Sequence, residues 1–302
     1  MSAYLDQFSP ARDFAQAPPV RQAVLIASTQ RCGSSLLGHS MEATGAFGVP
    51  LEYLNQQNMA QWKKRFDVDS AWELLDRVER CRTSPNGVFS LKAHYFQVRA
   101  VGTLQALKDR YRGLKVIRIV RRDLLRQAIS RTVAQQTGVW ISGQQRSGEP
   151  RYDRDAIAAN LRACSLQSEQ WDMAFALTGQ SVLRVEYEDM IKDIPATLRR
   201  IAVWCDIDPG TLDLDGQAPL ERQDTGRSAE WADRFRREWT ETDEPMLAGR
   251  LPVPDIARHA ARHIRSIVRA EEGPVSAGPS PNLIPTDATE GQASLEKSRE
   301  KD

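Results

Sequence analysis

The feature that most constrains this chain is the run Ala23-Val24-Leu25-Ile26-Ala27, followed at once by Ser28-Thr29-Gln30-Arg31-Cys32-Gly33-Ser34-Ser35-Leu36-Leu37. An apolar run bounded by a polar turn predicts a strand buried on both faces, as in a parallel sheet. Gly33 tolerates backbone that other residues resist, and Ser34 or Ser35 is placed to cap the helix expected from Leu36. A strand that turns straight into a helix aims several N–H groups and a positive dipole end at one point, which suits an anion. Arg31 adds a planar fork of donors. A triphosphate loop of the G-x-x-x-x-G-K-[ST] kind carries a lysine before its Ser/Thr and a magnesium ion on that hydroxyl. Here Cys32 and Gly33 precede the serines, so that lysine is missing. Taken alone, the stretch also fits a plain strand-turn-helix corner.

The pattern repeats along the chain. Strands are predicted at Val88–Lys92 after the turn Pro85-Asn86-Gly87, at Lys115–Val120, and at Ser181–Tyr187. Helices are predicted over 69–81 with Asp69 or Ser70 as cap, over 95–109, after Asp123, through Ile157, Leu161, Cys164, Trp171 and Phe175, and from Pro195 onward. Pro50 predicts extended or turn backbone ahead of a further helix. Strands alternating with helices predict an α/β fold, a parallel sheet with helices on both faces, whose ligands sit beyond the carboxyl ends of the strands.

With 302 residues the chain can fill one large domain or two small ones. We expect a flexible N-terminal arm over 1–20, one domain over 21–272, and a disordered tail over 273–302, where Gly, Pro, Ser, Thr and charge take over. A formal net charge of +1 supplies no global attraction for nucleic acid or an anionic membrane. The four cysteines form no C-x-x-C pair, and Asp6, Arg12 and Asp13 interrupt any signal-peptide core. No stretch has the length of a transmembrane segment. These points predict reduced thiols and a cytoplasmic location. A helix around 253–270 is basic on part of its surface, which reads more simply as a solvated face than as a partner surface.

Two further constellations could carry chemistry. Arg121 and Arg122 at a strand end, with Ser130 about two helical turns on, could clamp a phosphate, although two solvated arginines and a surface serine fit equally well. Arg222, Gln223, Arg227 and Ser228 surround Gly226 in a stretch that suits a loop closing over an anion, or an ordinary charged loop before a helix.

Taken together, these segments resemble one family. Gln30-Arg31-Cys32-Gly33-Ser34-Ser35-Leu36-Leu37 is similar to the Q-R-S-G-S-T-L-L loop that grips the 5′-phosphosulfate in bacterial trehalose 2-sulfotransferase-like enzymes. Arg121-Arg122-Asp123-Leu124-Leu125-Arg126-Gln127-Ala128-Ile129-Ser130 resembles that family's 3′-phosphate element. Glu221-Arg222-Gln223 through Ser228-Ala229-Glu230-Trp231 resembles its late E-R-Q…S-x-E-W loop. Pro85–Lys92 and Gln136–Trp140 also match in chain order. The resemblance spans about residues 22–240. It implies a P-loop-like fold and sulfuryl transfer from 3′-phosphoadenosine 5′-phosphosulfate (PAPS) to a hydroxyl of a carbohydrate-like or other small acceptor, a sugar or glycolipid precursor among them. No metal is expected, which agrees with the missing lysine, and a homodimer is an open option.

The resemblance also implies roles. Arg31 and the amides of residues 32–35 would neutralise the leaving phosphate, and Lys92 would contact the transferring group. Glu52 falls where the family's G-E-P-Q-E-F-F segment has its second glutamate, the implied general base. Here that segment reads Gly48-Val49-Pro50-Leu51-Glu52-Tyr53-Leu54, and if Val49 and Leu51 met the acceptor the pocket would be more apolar than one for trehalose. The rival base is His94, since Lys92-Ala93-His94 resembles the K-x-H of eukaryotic cytosolic sulfotransferases. Strand alternation would point Lys92 and His94 to one side. Glu52 ranks ahead of it. The alternative functions are a P-loop small-molecule kinase, which would require Mg²⁺-ATP, and a non-catalytic nucleotide-binding or scaffold protein.

Overall fold

In the computed structural model, which describes residues 7–141, 144–215 and 226–240, strands and helices alternate as expected. The elements are β1 (Gln22–Ser28), α1 (Ser34–Ala43), α2 (Gln56–Phe66), α3 (Ala71–Arg82), β2 (Val88–His94), α4 (Tyr95–Val98), α5 (Leu104–Arg110), β3 (Lys115–Val120), α6 (Leu124–Thr137), α7 (Arg154–Thr178), β4 (Val182–Glu186), α8 (Tyr187–Met190), α9 (Ile194–Trp204) and α10 (Arg227–Glu238). The four strands form one parallel sheet in the order β2-β1-β3-β4. β1, the strand that feeds the anion loop, is therefore interior, and β2 and β3 bring their carboxyl ends up on either side of it.

Alternation along β1 divides the interior in two. Ala23, Leu25 and Ala27 join Trp62 of α2, Leu74 and Leu75 of α3, and Trp171 and Phe175 of α7 on one face. Val24 and Ile26 join Leu37 and Met41 of α1 and Leu198 and Ile201 of α9 on the other. The sheet is thus covered on both sides, which is why β1 is apolar from Ala23 to Ala27 rather than alternating with polar residues.

Local signals act as expected in several places. Ser70 and Glu73 form a reciprocal capping box at the start of α3. Elsewhere the structure corrects the sequence reading. The helix expected over 95–109 is broken at Gly102, whose φ of +98° ends one turn, and Thr103 caps α5 afresh. β2 runs on to His94. No helix among the described residues is long and apolar enough to cross a membrane. All four cysteines are free thiols.

The N-terminal segment departs most from its polar composition. Rather than hanging loose, residues from Gln7 onward are anchored on α2 and α3. Phe8 lies 4.9 Å from the Trp62 ring, and the Phe14 amide donates to the Cys81 carbonyl at 2.9 Å. Fully buried Arg82 pairs with Asp13 at 2.8 Å and donates to the Gln7 and Ser9 carbonyls at 3.1 and 3.0 Å. A guanidinium taken out of water needs acceptors and a counter-charge, and this segment supplies both. The expected tail over 273–302, the helix around 253–270 and the domain end at 272 lie outside the described residues.

Candidate active site

The anion loop is built by backbone conformation more than by side-chain caps. Gly33 stands at the N-cap of α1 with φ +95° and no side-chain cap hydrogen bond, so the serine capping expected from sequence is absent. Ser34 and Ser35 lie inside the first turn instead. The Cys32 amide closes the loop on the Thr29 carbonyl at 3.4 Å. The amides from Gly33 onward begin the helix, where N–H groups have no intrahelical partner. Arg31 holds φ +64°, a conformation that a non-glycine residue adopts at a cost and that recurs at functional sites. A Cβ on Gly33 would lie 2.3 Å from Cδ2 of Tyr187, so the position excludes a side chain by crowding as well as by φ.

The carbonyls beneath the loop are tied down by side chains. Trp171 Nε1 donates to the Ser28 carbonyl at 2.9 Å, and Gln127 Nε2 donates to the Gln30 carbonyl at 2.7 Å and to Thr29 Oγ1 at 2.9 Å. The Gln30 amide donates to Gln167 at 3.4 Å. Of these, Gln127 stood inside the arginine–serine motif without a role, while Trp171 read only as a helix core residue. Pinning the carbonyls below the loop fixes the direction in which its amides point.

Folding brings Arg31 and Ser130 together across 99 residues, with Arg31 Nε donating to Ser130 Oγ at 3.0 Å. The Arg31 fork also donates to the Trp140 carbonyl. Arg121 stacks its guanidinium 5.0 Å from the Tyr187 ring, and its Nε is buried without a hydrogen-bond partner among the described residues. Burial, then the Arg121 cation, brings the Arg31 guanidinium down to about 10. A buried cation beside an open helix start makes an electropositive corner suited to phosphate.

Arg122 takes a different course from the clamp predicted for it. Its Nη1 and Nη2 form a fork with the Asp189 carboxylate at 2.8 and 2.9 Å, and it also pairs with Glu186. These acceptors, Asp189 first, hold its guanidinium above the usual arginine value. Of the residues expected to clamp a phosphate, Arg31 and Ser130 are in contact, Arg121 stacks on Tyr187, and Arg122 is engaged by carboxylates. Arg227 pairs with Glu149 at 3.7 Å, and Ser228 lies half-buried in the first turn of α10. Arg222 and Gln223 lie outside the described residues.

Glu52, Lys92 and His94 form the second half of the site. Leu51 bridges to Leu91, and the Lys92 amide donates to the Leu51 carbonyl at 2.9 Å, which sets Glu52 beside the end of β2. Lys92 and His94 project from the same side of β2, as alternation predicts, and both face Glu52 Oε1, at 3.1 and 3.8 Å. Lys92 Nζ also donates to Ser35 Oγ at 3.0 Å, so one ammonium joins the anion loop to the carboxylate. Gln97 and Asn55 hold Glu52 Oε2 at 2.9 and 3.0 Å. Val49 and Leu51 are buried in the core beneath the site, so their apolar character says nothing about the acceptor.

The charge states follow from these contacts. Burial pushes the Glu52 carboxyl up, but the Lys92 and His94 charges and the Gln97 hydrogen bond together pull it far below the usual carboxylate range. Burial also drives His94 below its ordinary 6.5, against the opposing pull of Glu52. Near neutral pH Glu52 is therefore a carboxylate and His94 an uncharged imidazole. The His94 tautomer is set by Ser28, whose carbonyl lies 3.2 Å from Nδ1 and can only accept. Ser28 Oγ, 3.0 Å from Nδ1, donates onward to the Ala93 carbonyl, so it too receives from Nδ1. Nδ1 carries the proton, and the Nε2 lone pair faces Glu52.

A parallel sheet whose interior strand turns through an anion loop into a helix is the frame on which comparison with known proteins assigns the class, that of the sulfotransferases. The family model described as Stf0 sulphotransferase matches residues 23–238. The chain belongs to the Stf0 sulphotransferase family. It is 31% identical over 261 residues to the trehalose 2-sulfotransferase of Mycobacterium tuberculosis (strain ATCC 35801 / TMC 107 / Erdman), covering 71% of this chain and 94% of that one. It is 28% identical over 256 residues to the trehalose 2-sulfotransferase of Mycolicibacterium smegmatis (strain ATCC 700084 / mc(2)155), covering 72% and 95%. Among solved structures, mouse sulfotransferase SULT7A1 complexed with PAP overlaps it at a TM-score of 0.41 and 14% identity, over 81% of this chain and 90% of that one.

Proposed function

We propose that this enzyme is a cytoplasmic PAPS-dependent sulfotransferase that modifies a hydroxyl on a carbohydrate-like or other small acceptor. The observation that carries the reading is Lys92, whose Nζ lies 3.0 Å from Ser35 Oγ of the anion loop and 3.1 Å from the Glu52 carboxylate. A single cation there serves the transferring group and the proton acceptor together. The residues fit the donor: the first amides of α1 are placed to receive an anion, Gly33 lets the backbone come close, and Arg121 has a buried Nε without a hydrogen-bond partner among the described residues.

When bound, the donor supplies a sulfuryl group on a phosphate leaving group, so that the acceptor O–S bond forms as the S–O bond to phosphate breaks. The α1 amides and Arg31 stabilise the charge left on that phosphate. Arg121 and Ser130 hold the 3′-phosphate. Lys92 neutralises the group in transit, and as its ammonium turns from Glu52 to that anion the carboxylate regains basicity. Glu52 then takes the acceptor proton. A second reading assigns that proton to His94, and the observation favouring it is the uncharged ring with its Nε2 lone pair turned into the same corner.

The two bases separate in a pH profile. With His94 as base, kcat/KM falls on acidification through the imidazole's lowered value, and His94→Ala abolishes turnover. With Glu52 as base, the rate persists into more acid solution and Glu52→Gln is the inactive variant.

The direct test is calorimetry with 3′-phosphoadenosine 5′-phosphate (PAP), with mass spectrometry of trehalose and other hydroxyl acceptors incubated with PAPS. Saturable PAP binding without magnesium and a sulfated product are expected. Tight Mg²⁺-ATP binding with no response to PAP would select the kinase alternative. Arg31→Ala should weaken PAP about 10- to 100-fold. Arg122→Ala should leave its affinity within about threefold, because that fork is already taken up by Asp189. Gly33→Ala should abolish measurable PAP binding, since the Cβ displaces either the loop or Tyr187.

A further inference from the structure

The proton-accepting corner is nearly closed to water, with Glu52, Lys92 and His94 only 8%, 2% and 6% exposed. Gln97 and Asn55 take up Glu52 Oε2, and Ser28 takes up His94 Nδ1, which leaves Glu52 Oε1 and His94 Nε2 to meet a hydroxyl. A corner so closed admits the hydroxyl and little of the molecule that carries it. The rest of an acceptor lies outside, against the side chain that borders the corner toward solvent. Phe96 is that side chain. It stands in the first turn of α4 between His94 and Gln97, and Gln97 fixes this turn by accepting from the His94 amide at 2.8 Å while it holds Glu52. The Phe96 ring centroid lies 5.7 Å from that of His94, with the planes inclined at 38°, and the phenyl is 38% exposed where the imidazole it leans on is buried. Among the described residues only two aromatic side chains stand exposed, Phe96 and Trp140, and Trp140 gives its carbonyl to Arg31 of the anion loop. Both exposed rings thus adjoin the site. A phenyl face left in water gains by being covered with apolar surface.

We propose that Phe96 is the acceptor platform, packing on the apolar face of the ring that bears the reacting hydroxyl: the C–H face of a pyranose or the plane of a phenol. The assignment rests on the sulfotransferase reading above and narrows its acceptor to a ring compound. An open-chain polyol can offer the same hydroxyl but no such face. Phe96 meets the body of the acceptor and not the reacting atoms, so its loss falls on KM for the acceptor more than on kcat.

The test titrates PAP-saturated protein with glucose, phenol and glycerol, followed by saturation-transfer NMR. The expected result is saturable binding of glucose or phenol, the one that responds naming the source of the ring, with glycerol at least about 10-fold weaker. Phe96→Ala should weaken the responding ring about 3- to 10-fold, and Phe96→Tyr should keep it within about twofold. PAP affinity and melting temperature should stay unchanged in both variants, because the phenyl is exposed and leans on His94 rather than on the anion loop. Equal binding of rings and glycerol overturns the inference, and so does a ring affinity that survives Phe96→Ala. A parallel loss of PAP affinity in Phe96→Ala overturns it too, by making the residue a structural support of the whole site. Absence of PAP binding by the unaltered protein would overturn the PAPS reading itself, on which this one stands.

Discussion

Lys92→Met is expected to lower kcat by about 10²- to 10³-fold, the scale on which one preorganised charge at the reacting centre acts, and to reverse the pH dependence contributed by Glu52. In the unaltered enzyme the Glu52 carboxyl is held below its unfolded value of about 4.3. A group lowered in this way stabilises the fold above its unfolded value, and that stability is lost as pH falls through the folded one. Without the ammonium, burial is the largest remaining influence on Glu52, and it acts upward. A carboxyl raised by folding stabilises fully below its unfolded value and progressively less as pH rises through the folded one. The variant should therefore gain thermal stability between pH 8 and pH 5, where the unaltered protein gains nothing from this group. Adding Glu52→Gln should flatten the profile. Parallel melting curves for Lys92→Met and the unaltered protein over that range would refute the charge assignment.

Asp13→Ala should have the largest effect on stability. Arg82 is fully buried, and Asp13 is its counter-charge at 2.8 Å. Removing one partner of a buried pair leaves the other uncompensated, at a cost of about 3–5 kcal/mol. For a domain of this size the melting temperature should fall by about 6–20 °C. Asp13 also pairs with Arg65, so the substitution loosens α2 and α3 together. The reference is the double change Asp13→Leu with Arg82→Met, which replaces the pair by apolar groups and should recover much of the loss. A melting temperature within about 2 °C of the unaltered protein for Asp13→Ala alone would show that the N-terminal segment is dispensable.

How much of this was legible beforehand depended on the range of the interaction. The cap at the start of α3, expected at Asp69 or Ser70 and found at Ser70, is settled within a few residues, so the local pattern reveals it. Serine at the start of α1 misled because a side-chain cap and a left-handed glycine solve the same local problem, and Tyr187, far along the chain, decides for the glycine. Arg121 and Arg122 are indistinguishable in sequence. The carboxylates of Glu186 and Asp189, carried by β4 and α8, sort them by claiming Arg122. The arm misled for a related reason, since polar composition reports exposure only where no buried charge calls for those polar groups.

The amino-acid sequence alone determined the sheet and its loop, because β1, the left-handed glycine and the alternating apolar runs are enforced by backbone sterics and by the need to bury both faces of every strand. It also carried the family, through motifs spread from the loop to the last helix. Tertiary structure alone decided the working state of the site: Lys92 shared between Ser35 and Glu52, the proton of His94 on Nδ1, and Arg31 laid against Ser130. Those arrangements depend on Coulomb forces and hydrogen bonds over a few ångströms between residues dozens of positions apart, and such distances exist only once the chain has closed on itself.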